Sequence, residues 1–476
     1  FIHQRTFSQN HLHILPRAGT SMPLDDSRAL DARAPSNASA TSSSTFPPPW
    51  SAWLSTRNAE LAREGVDRAL RPVTPTRDAA RHLARRDTVE RWRANVTDLG
   101  DSCDDAGPSV RVRAFGGNDY LGMSSHARCR AAAARAAKSH GCGPRSSALV
   151  CGYTNAHRAL ERSLAALCET EECVLFPSGY AANATTLAAT CGSRECAIFS
   201  DALNHASIVD GCRLAKASGA SVFVFPHRDY DALERALRRC EAPRRVVVSD
   251  SLFSVDGDYA DVERLARMKR DHGFLLVLDE AHATLVCGSR GGGVAQRHGA
   301  CADVDVHVGT LSKAVGAHGG FVACSREMKR FLVSRARGQI FSTALPAPIV
   351  AAAVESLRVV ASTPSIRENL WRNVARFNAA LRKKPRLAAT TRPLESPIGV
   401  FILGAPDAAL RASAELLHRG FHVPAIRPPT VPEGASRLRV TLSAAHRAAD
   451  VDALVDALDD VIAGIATTTT TTRSKL

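Results

Sequence analysis

The chain has 476 residues, 45% of them apolar and 23% charged, with a formal net charge of +14. That length suffices for one large domain with a full core plus a smaller one, and no run approaches the ~20 consecutive apolar residues that cross a bilayer, so no membrane partner is expected. The positive charge is spread thinly and aromatic residues make up only 5%, which argues against nucleic acid as a partner. The thirteen cysteines are odd in number and contain no CxxC pair, so neither a zinc site nor a disulfide framework is expected.

Residues 1–49 are rich in Ser, Thr, Pro and Ala and end in SSSTFPPP, the composition of a disordered extension or a targeting segment. Residues 50–117 read as a basic, helical N-terminal segment. Short apolar runs bounded by turn residues then alternate with helical stretches: CVLFPS (173–178), CAIFS (196–200), SVFVFP (221–226), RVVVSD (245–250), FLLVLDE (274–280), VDVHVG (304–309) and FVACS (321–325). YDALERALRRC (230–240) and VERLARMKRDHG (262–273) are two of the intervening helices. This alternation predicts an α/β fold whose large domain, residues 118–349, holds a mainly parallel sheet covered by helices. Residues 350–463, with IGVFILG (398–404) and RLRVTLS (437–443), read as a smaller α+β C-terminal domain, and 464–476 as a low-complexity tail.

Ligands of parallel α/β sheets gather at the carboxyl ends of the strands, so the polar residues there are the candidates. Lys313, in VGTLSKAVG, is one of only eight lysines against 53 arginines. It follows an apolar strand among small and hydroxyl residues, where a poorly solvated ammonium loses basicity and can serve as a Schiff-base amine. Ser178, Gly179 and Tyr180 open a helix after a strand and offer free N–H groups to a phosphate. Asp279 ends the most apolar strand, and a carboxylate buried there needs a cation; a protonated pyridine nitrogen is one, a structural arginine another. His205, Ser254 and His282 follow other strand ends. Each signal alone is weak. Together with Thr310 they supply the contacts that pyridoxal phosphate (PLP) requires.

These segments, with NDYLGMSSH (118–126), SSALVCGYTNAH (146–157), FSTALP (341–346) and AIRPPTVPEGASRLRVTLSAAH (425–446), make the chain from Trp50 to about Ala463 resemble the α-oxoamine synthases. These are PLP-dependent acyltransferases of fold type I that condense an amino acid with an acyl-CoA thioester. The resemblance implies PLP bound by Gly179, Tyr180, His205, Ser254, Asp279, His282, Thr310 and Lys313. It gives catalytic roles to Lys313 (Schiff base and base), His205 (stacked on the ring) and Asp279 (partner of the pyridine nitrogen). Arg71, Asn118, Thr430 and Arg439 fall where family members contact substrate, and the C-terminal signature favours L-alanine with pimeloyl-CoA or a related acyl thioester. Members that take glycine, and a non-catalytic partner subunit, are the alternatives. The family's usual Asp-Asp-Ala-His-Gly reads Asp279-Glu280-Ala281-His282-Ala283 here, which puts local packing in question. A homodimer is implied. Ser474-Lys475-Leu476 matches a peroxisomal address read by an import receptor, which predicts the peroxisomal matrix over mitochondrion, plastid or cytosol.

Overall fold

In this computed structural model residues 47–64, 66–68, 70–94 and 108–473 are described, with side-chain detail ending at 465. The chain divides into two units, residues 1–60 and 61–476. Of the first, residues 47–60 are described, and from Pro48 they belong to the helix Pro48–Arg63. Everything below concerns the second unit.

Its centre is a seven-stranded sheet. In chain order the strands are β1 (Glu172–Phe176), β2 (Cys196–Asp201), β3 (Ser221–Phe225), β4 (Arg244–Asp250), β5 (Leu275–Asp279), β6 (Val306–Thr310) and β7 (Gly320–Cys324). Their spatial order is β1-β7-β6-β5-β4-β2-β3. Neighbours from β6 to β3 pair parallel, and only β7 runs antiparallel, against β1 and β6. Strands β2 and β6 are buried at every position, and β4 from Val246 onward, because helices cover both faces and leave no side for polar residues. The strands and the helices Tyr230–Arg239 and Val262–His272 match the sequence expectation to within one or two residues.

The segment read as helical, 50–117, is mixed instead. It contains the helix Arg86–Arg93 and the strands Arg81–Arg85 and Ser109–Ala114, which pair antiparallel and are joined by Phe421–His422. Along Arg81–Arg85 only His82 and Ala84 are buried; the outward arginines hid a two-residue alternation inside a basic run. A three-stranded antiparallel sheet of Ile398–Gly404, Ser436–Thr441 and Ala425–Ile426 lies further on. The helix Ala448–Arg473 continues through the threonine run read as a loose tail, and the SKL tripeptide lies outside the described residues. Among the described residues no single helix is long and apolar enough to cross a membrane, and the bent apolar pair Ala347–Ser362 and Ser365–Leu381 buries Val350, Val359, Leu370 and Phe377 in the core.

Candidate active site

The site is assembled where β4, β5 and β6 end side by side. β4 and β5 pair in register through Asp250 and Asp279, so two carboxylates finish neighbouring strands, 3% and 6% exposed. Among the described residues neither has an ion-pair partner within 4.0 Å. Burial first, then the charge of Asp279, pushes the Asp250 carboxyl well above its ordinary range, since desolvation and a neighbouring carboxylate both disfavour ionisation. Asp279 Oδ1 accepts from the Ala281 N–H at 2.8 Å, and Oδ2 from Asn183 Nδ2 at 2.6 Å. A buried carboxylate calls for a cation, and its hydrogen bonds among the described residues come from neutral donors.

Lys313 follows β6. Burial and the nearby Arg439 pull its pKa down while Asp279 and Asp250 hold it up, leaving it at about 8. Thr310, at the end of β6, places Oγ1 2.8 Å from Ser312 Oγ and donates to the Gly319 carbonyl at 3.0 Å. Opposite it begins helix α1 (Gly179–Cys191), capped by Ser178, whose Oγ accepts from the Ala181 N–H. A Cβ added at Gly179 would stand 3.1 Å from Thr310 Cβ and 3.4 Å from its Oγ1, so glycine allows the helix start to approach the strand end. The N–H groups of that first turn have no carbonyl within the helix and form a seat for an anion. The Tyr180 hydroxyl donates to Asp210, which leaves this residue's ring and amide for a ligand.

His205 caps helix α2 (Ala206–Ala217). Its Nδ1 meets Ser207 Oγ at 2.7 Å and accepts from the Ser207 N–H at 3.3 Å. Desolvation lowers its pKa, with Lys313 adding to the fall and Asp279 opposing it. His282 is buried against Tyr120, Nδ1 to Oη 2.6 Å, and burial, then Lys313 and Arg439, keeps it neutral. The Tyr120 phenol is pushed up to about 12 by burial. Arg439 is 7% exposed and donates to the Ser254 carbonyl at 2.6 Å, to Thr441 Oγ1 at 3.1 Å and to Asn118 Oδ1 at 3.2 Å. The structure thus brings together Asn118, Ser254 and Arg439, which lie far apart in sequence.

Arg71 and Thr430 sit apart from that cluster, on a cavity of about 510 Å³ also lined by Arg68, Trp92, His422 and Arg427. Arg71 lies over the Trp92 ring, 5.3 Å to its centroid, and its Nη1 is buried with no hydrogen-bond partner among the described residues. Burial and the charge of Arg427 lower its pKa. The cavity borders the first cluster through Pro424, whose carbonyl accepts from the Arg439 N–H at 3.1 Å.

The two departures at 280 and 283 are both accommodated. The Glu280 carboxylate is buried but accepts from Ser251 Oγ at 2.6 Å and from the Val294 and Ala295 N–H groups at 2.9 Å each. Ala283 lies in a turn with negative φ, its N–H donating to the Glu280 carbonyl at 2.9 Å, so the freedom of glycine is not needed there. Sequence reading passed over Asp250, Asn183, Ser207 and Tyr120. Asp250 had a signal, since VVVSD ends as VLD does, in a carboxylate after an apolar strand.

PLP meets each demand of this site. It brings a ring nitrogen that can carry a proton to Asp279, an aldehyde for Lys313 and a phosphate for the α1 start and Thr310. The chain belongs to the aminotransferase class I and II family, whose profile matches residues 111–458. Within that family it is similar to the 8-amino-7-oxononanoate synthase of Arabidopsis thaliana, with 49% identity over 73% of this chain and 74% of that one. Its fold matches a serine palmitoyltransferase solved with PLP (TM-score 0.75, 26% identity, 87% of this chain and 98% of that one). It also matches an 8-amino-7-oxononanoate synthase of Francisella tularensis (TM-score 0.61, 25% identity, 75% and 98%).

Proposed function

We propose that this chain condenses L-alanine with pimeloyl-CoA, or a related pimeloyl thioester, to give 8-amino-7-oxononanoate, CO₂ and the free thiol, a step of biotin formation. The observation that carries the reading is Lys313, its amine softened to about 8 by burial, beside the buried Asp279, whose charge is the strongest influence holding that amine up. The names of the relatives supply the member of the family.

PLP, when bound, supplies an electron-withdrawing ring that makes the amino acid's α-proton acidic. Asp279 holds the proton on the ring nitrogen and so keeps the ring withdrawing. Gly179 and Tyr180 through their N–H groups, and Thr310 through its hydroxyl once turned from the Gly319 carbonyl, would hold the phosphate, with Ser254 and His282 available to the ring. Lys313 would hold the aldehyde carbon, and its amine, when free, would take the α-proton of alanine. Arg439, its guanidinium fixed by Ser254, Asn118 and Thr441, receives the alanine carboxylate. His205 would cover the ring face. Because its Nδ1 accepts from Ser207, its proton sits on Nε2, which donates to the thioester oxygen as negative charge grows there. The arginine-lined cavity takes the acyl donor: Arg71, with an unused buried donor, and Thr430 bind the carboxylate at the far end of the pimeloyl chain.

The test is the purified protein supplied with PLP and a matrix of L-alanine, glycine and L-serine against acyl-CoAs, with products identified by mass. 8-Amino-7-oxononanoate should dominate; turnover of glycine or serine in its place overturns the reading. A homodimer is proposed as the working form, and a fully active monomer in sedimentation would refute it. Peroxisomal import through Ser474-Lys475-Leu476 is proposed on the motif alone. Residues 464–476 fused behind a fluorescent protein should enter peroxisomes, and unchanged import of the full chain after deletion of Leu476 defeats the idea.

A further inference from the structure

Asn183 lies one turn into α1, four residues beyond Gly179, and is 2% exposed. Its Nδ2 donates twice, to Asp279 Oδ2 at 2.6 Å and to Ser207 Oγ at 3.0 Å. The reverse amide orientation would set Oδ1 against a carboxylate oxygen, so chemistry fixes which end is nitrogen. Ser207 Oγ, having accepted from Asn183, has its own proton free for His205 Nδ1 at 2.7 Å. A continuous chain therefore runs Asp279, Asn183, Ser207, His205, and both side-chain amide hydrogens of Asn183 are spent on it. Asn183 Oδ1 is buried with no partner among the described residues, a polar burial that two strong donations offset.

We propose that Asn183 is a positioning residue for the cofactor: it locks the carboxylate that faces the ring nitrogen and, through Ser207, the histidine that covers the ring face, so that one amide aligns both. It rests on the PLP reading above. The same helix that seats the phosphate by its first turn then also orients the group at the opposite end of the ring, since four residues of helix advance about 6 Å. The amide, a neutral donor, stabilises charge on Asp279 without competing for the cofactor's proton. His205 keeps Nδ1 as an acceptor and Nε2 as the donor to substrate.

The experiment measures the PLP dissociation constant of parent, N183A, N183D and S207A between pH 6 and 9, together with kcat. N183A should bind PLP about tenfold more weakly, the loss of one charge-assisted hydrogen bond. N183D is isosteric, so it carries the test if N183A does not fold. Its carboxyl can donate while protonated but repels Asp279 once ionised, so its affinity relative to the parent should fall about tenfold or more as pH rises, a dependence that packing alone would not produce. S207A should lower kcat while changing PLP affinity less than about twofold, and adding S207A to N183A should give little further loss of kcat, because the two residues act in series. PLP affinities of N183A and N183D within about twofold of the parent throughout, or fully additive kcat losses, overturn the proposal. A parent that takes up no PLP overturns the cofactor reading instead.

Discussion

Lys313 should capture PLP in the apoprotein with a pH midpoint near 8. The nucleophile is the neutral amine, and burial disfavours the ammonium. With a pKa of about 8, roughly one molecule in ten carries the free amine at pH 7; at the ordinary value of 10.4 it would be fewer than about one in two thousand. The rate advantage at neutral pH is therefore about two orders of magnitude. The sign is checked by stability: between about pH 8 and 10.4 the folded apoprotein binds fewer protons at this residue than the unfolded chain does, so its contribution to stability rises with pH across that window. Stopped-flow absorbance of apoprotein mixed with PLP from pH 7 to 10.5 reads the rate directly. It should climb about fivefold from pH 7 to 8, about tenfold in all, and flatten above about pH 9. A profile still climbing at pH 10 would show an exposed, ordinary lysine and refute the burial argument.

Further outcomes follow from the same geometry. Lys313→Ala should abolish turnover while the protein still binds PLP through the α1 start, Thr310 and Asp279; substantial residual turnover would remove Lys313 from the chemistry. Asp279→Ala should weaken PLP and abolish turnover together, since the ring loses its counter-charge, and a spectrum and activity like the parent's would mean that another group holds the ring nitrogen. Arg71→Gln should raise KM for pimeloyl-CoA by about 10- to 100-fold, the range of a lost hydrogen bond to a charged group, yet leave KM for heptanoyl-CoA, which lacks the distal carboxylate, nearly unchanged. Equal effects on both donors would place Arg71 elsewhere on the substrate. Glu280→Ala strands the Ser251 hydroxyl and two N–H groups and should cost about 2–4 kcal/mol in denaturant unfolding, with an unchanged midpoint counting against its role in fixing the loop after β5.

The parallel strands were legible because burial on both faces leaves each as an uninterrupted apolar run, and the residue that breaks the run marks the end where ligands collect. Lys313, Asp279 and Thr310 were found that way. Arg81–Arg85 was not, because its outward positions are Arg81, Leu83 and Arg85 and its inward pair is His82 and Ala84, too weak an alternation to show within a basic segment. Asn183 gave less still, being one polar side chain in the small-residue helix GYAANATTLAATC; its meaning depends on which strand end lies against that face.

That dependence is general to this site. Local sequence marks strand ends one at a time, but the pairing of Asp250 with Asp279 comes from β4 lying beside β5 in an order, β1-β7-β6-β5-β4-β2-β3, that no single segment encodes. The raised Asp250 carboxyl and the amine of Lys313, softened by burial and held up by two carboxylates, both depend on that adjacency. Each strand end viewed alone offers a carboxylate or a lysine of ordinary chemistry. Side by side in a buried site, each carboxylate disfavours ionisation of the other, which raises Asp250, while burial pulls Lys313 down against the attraction of both. Strand order thus turns three ordinary groups into a site suited to a protonated pyridine ring.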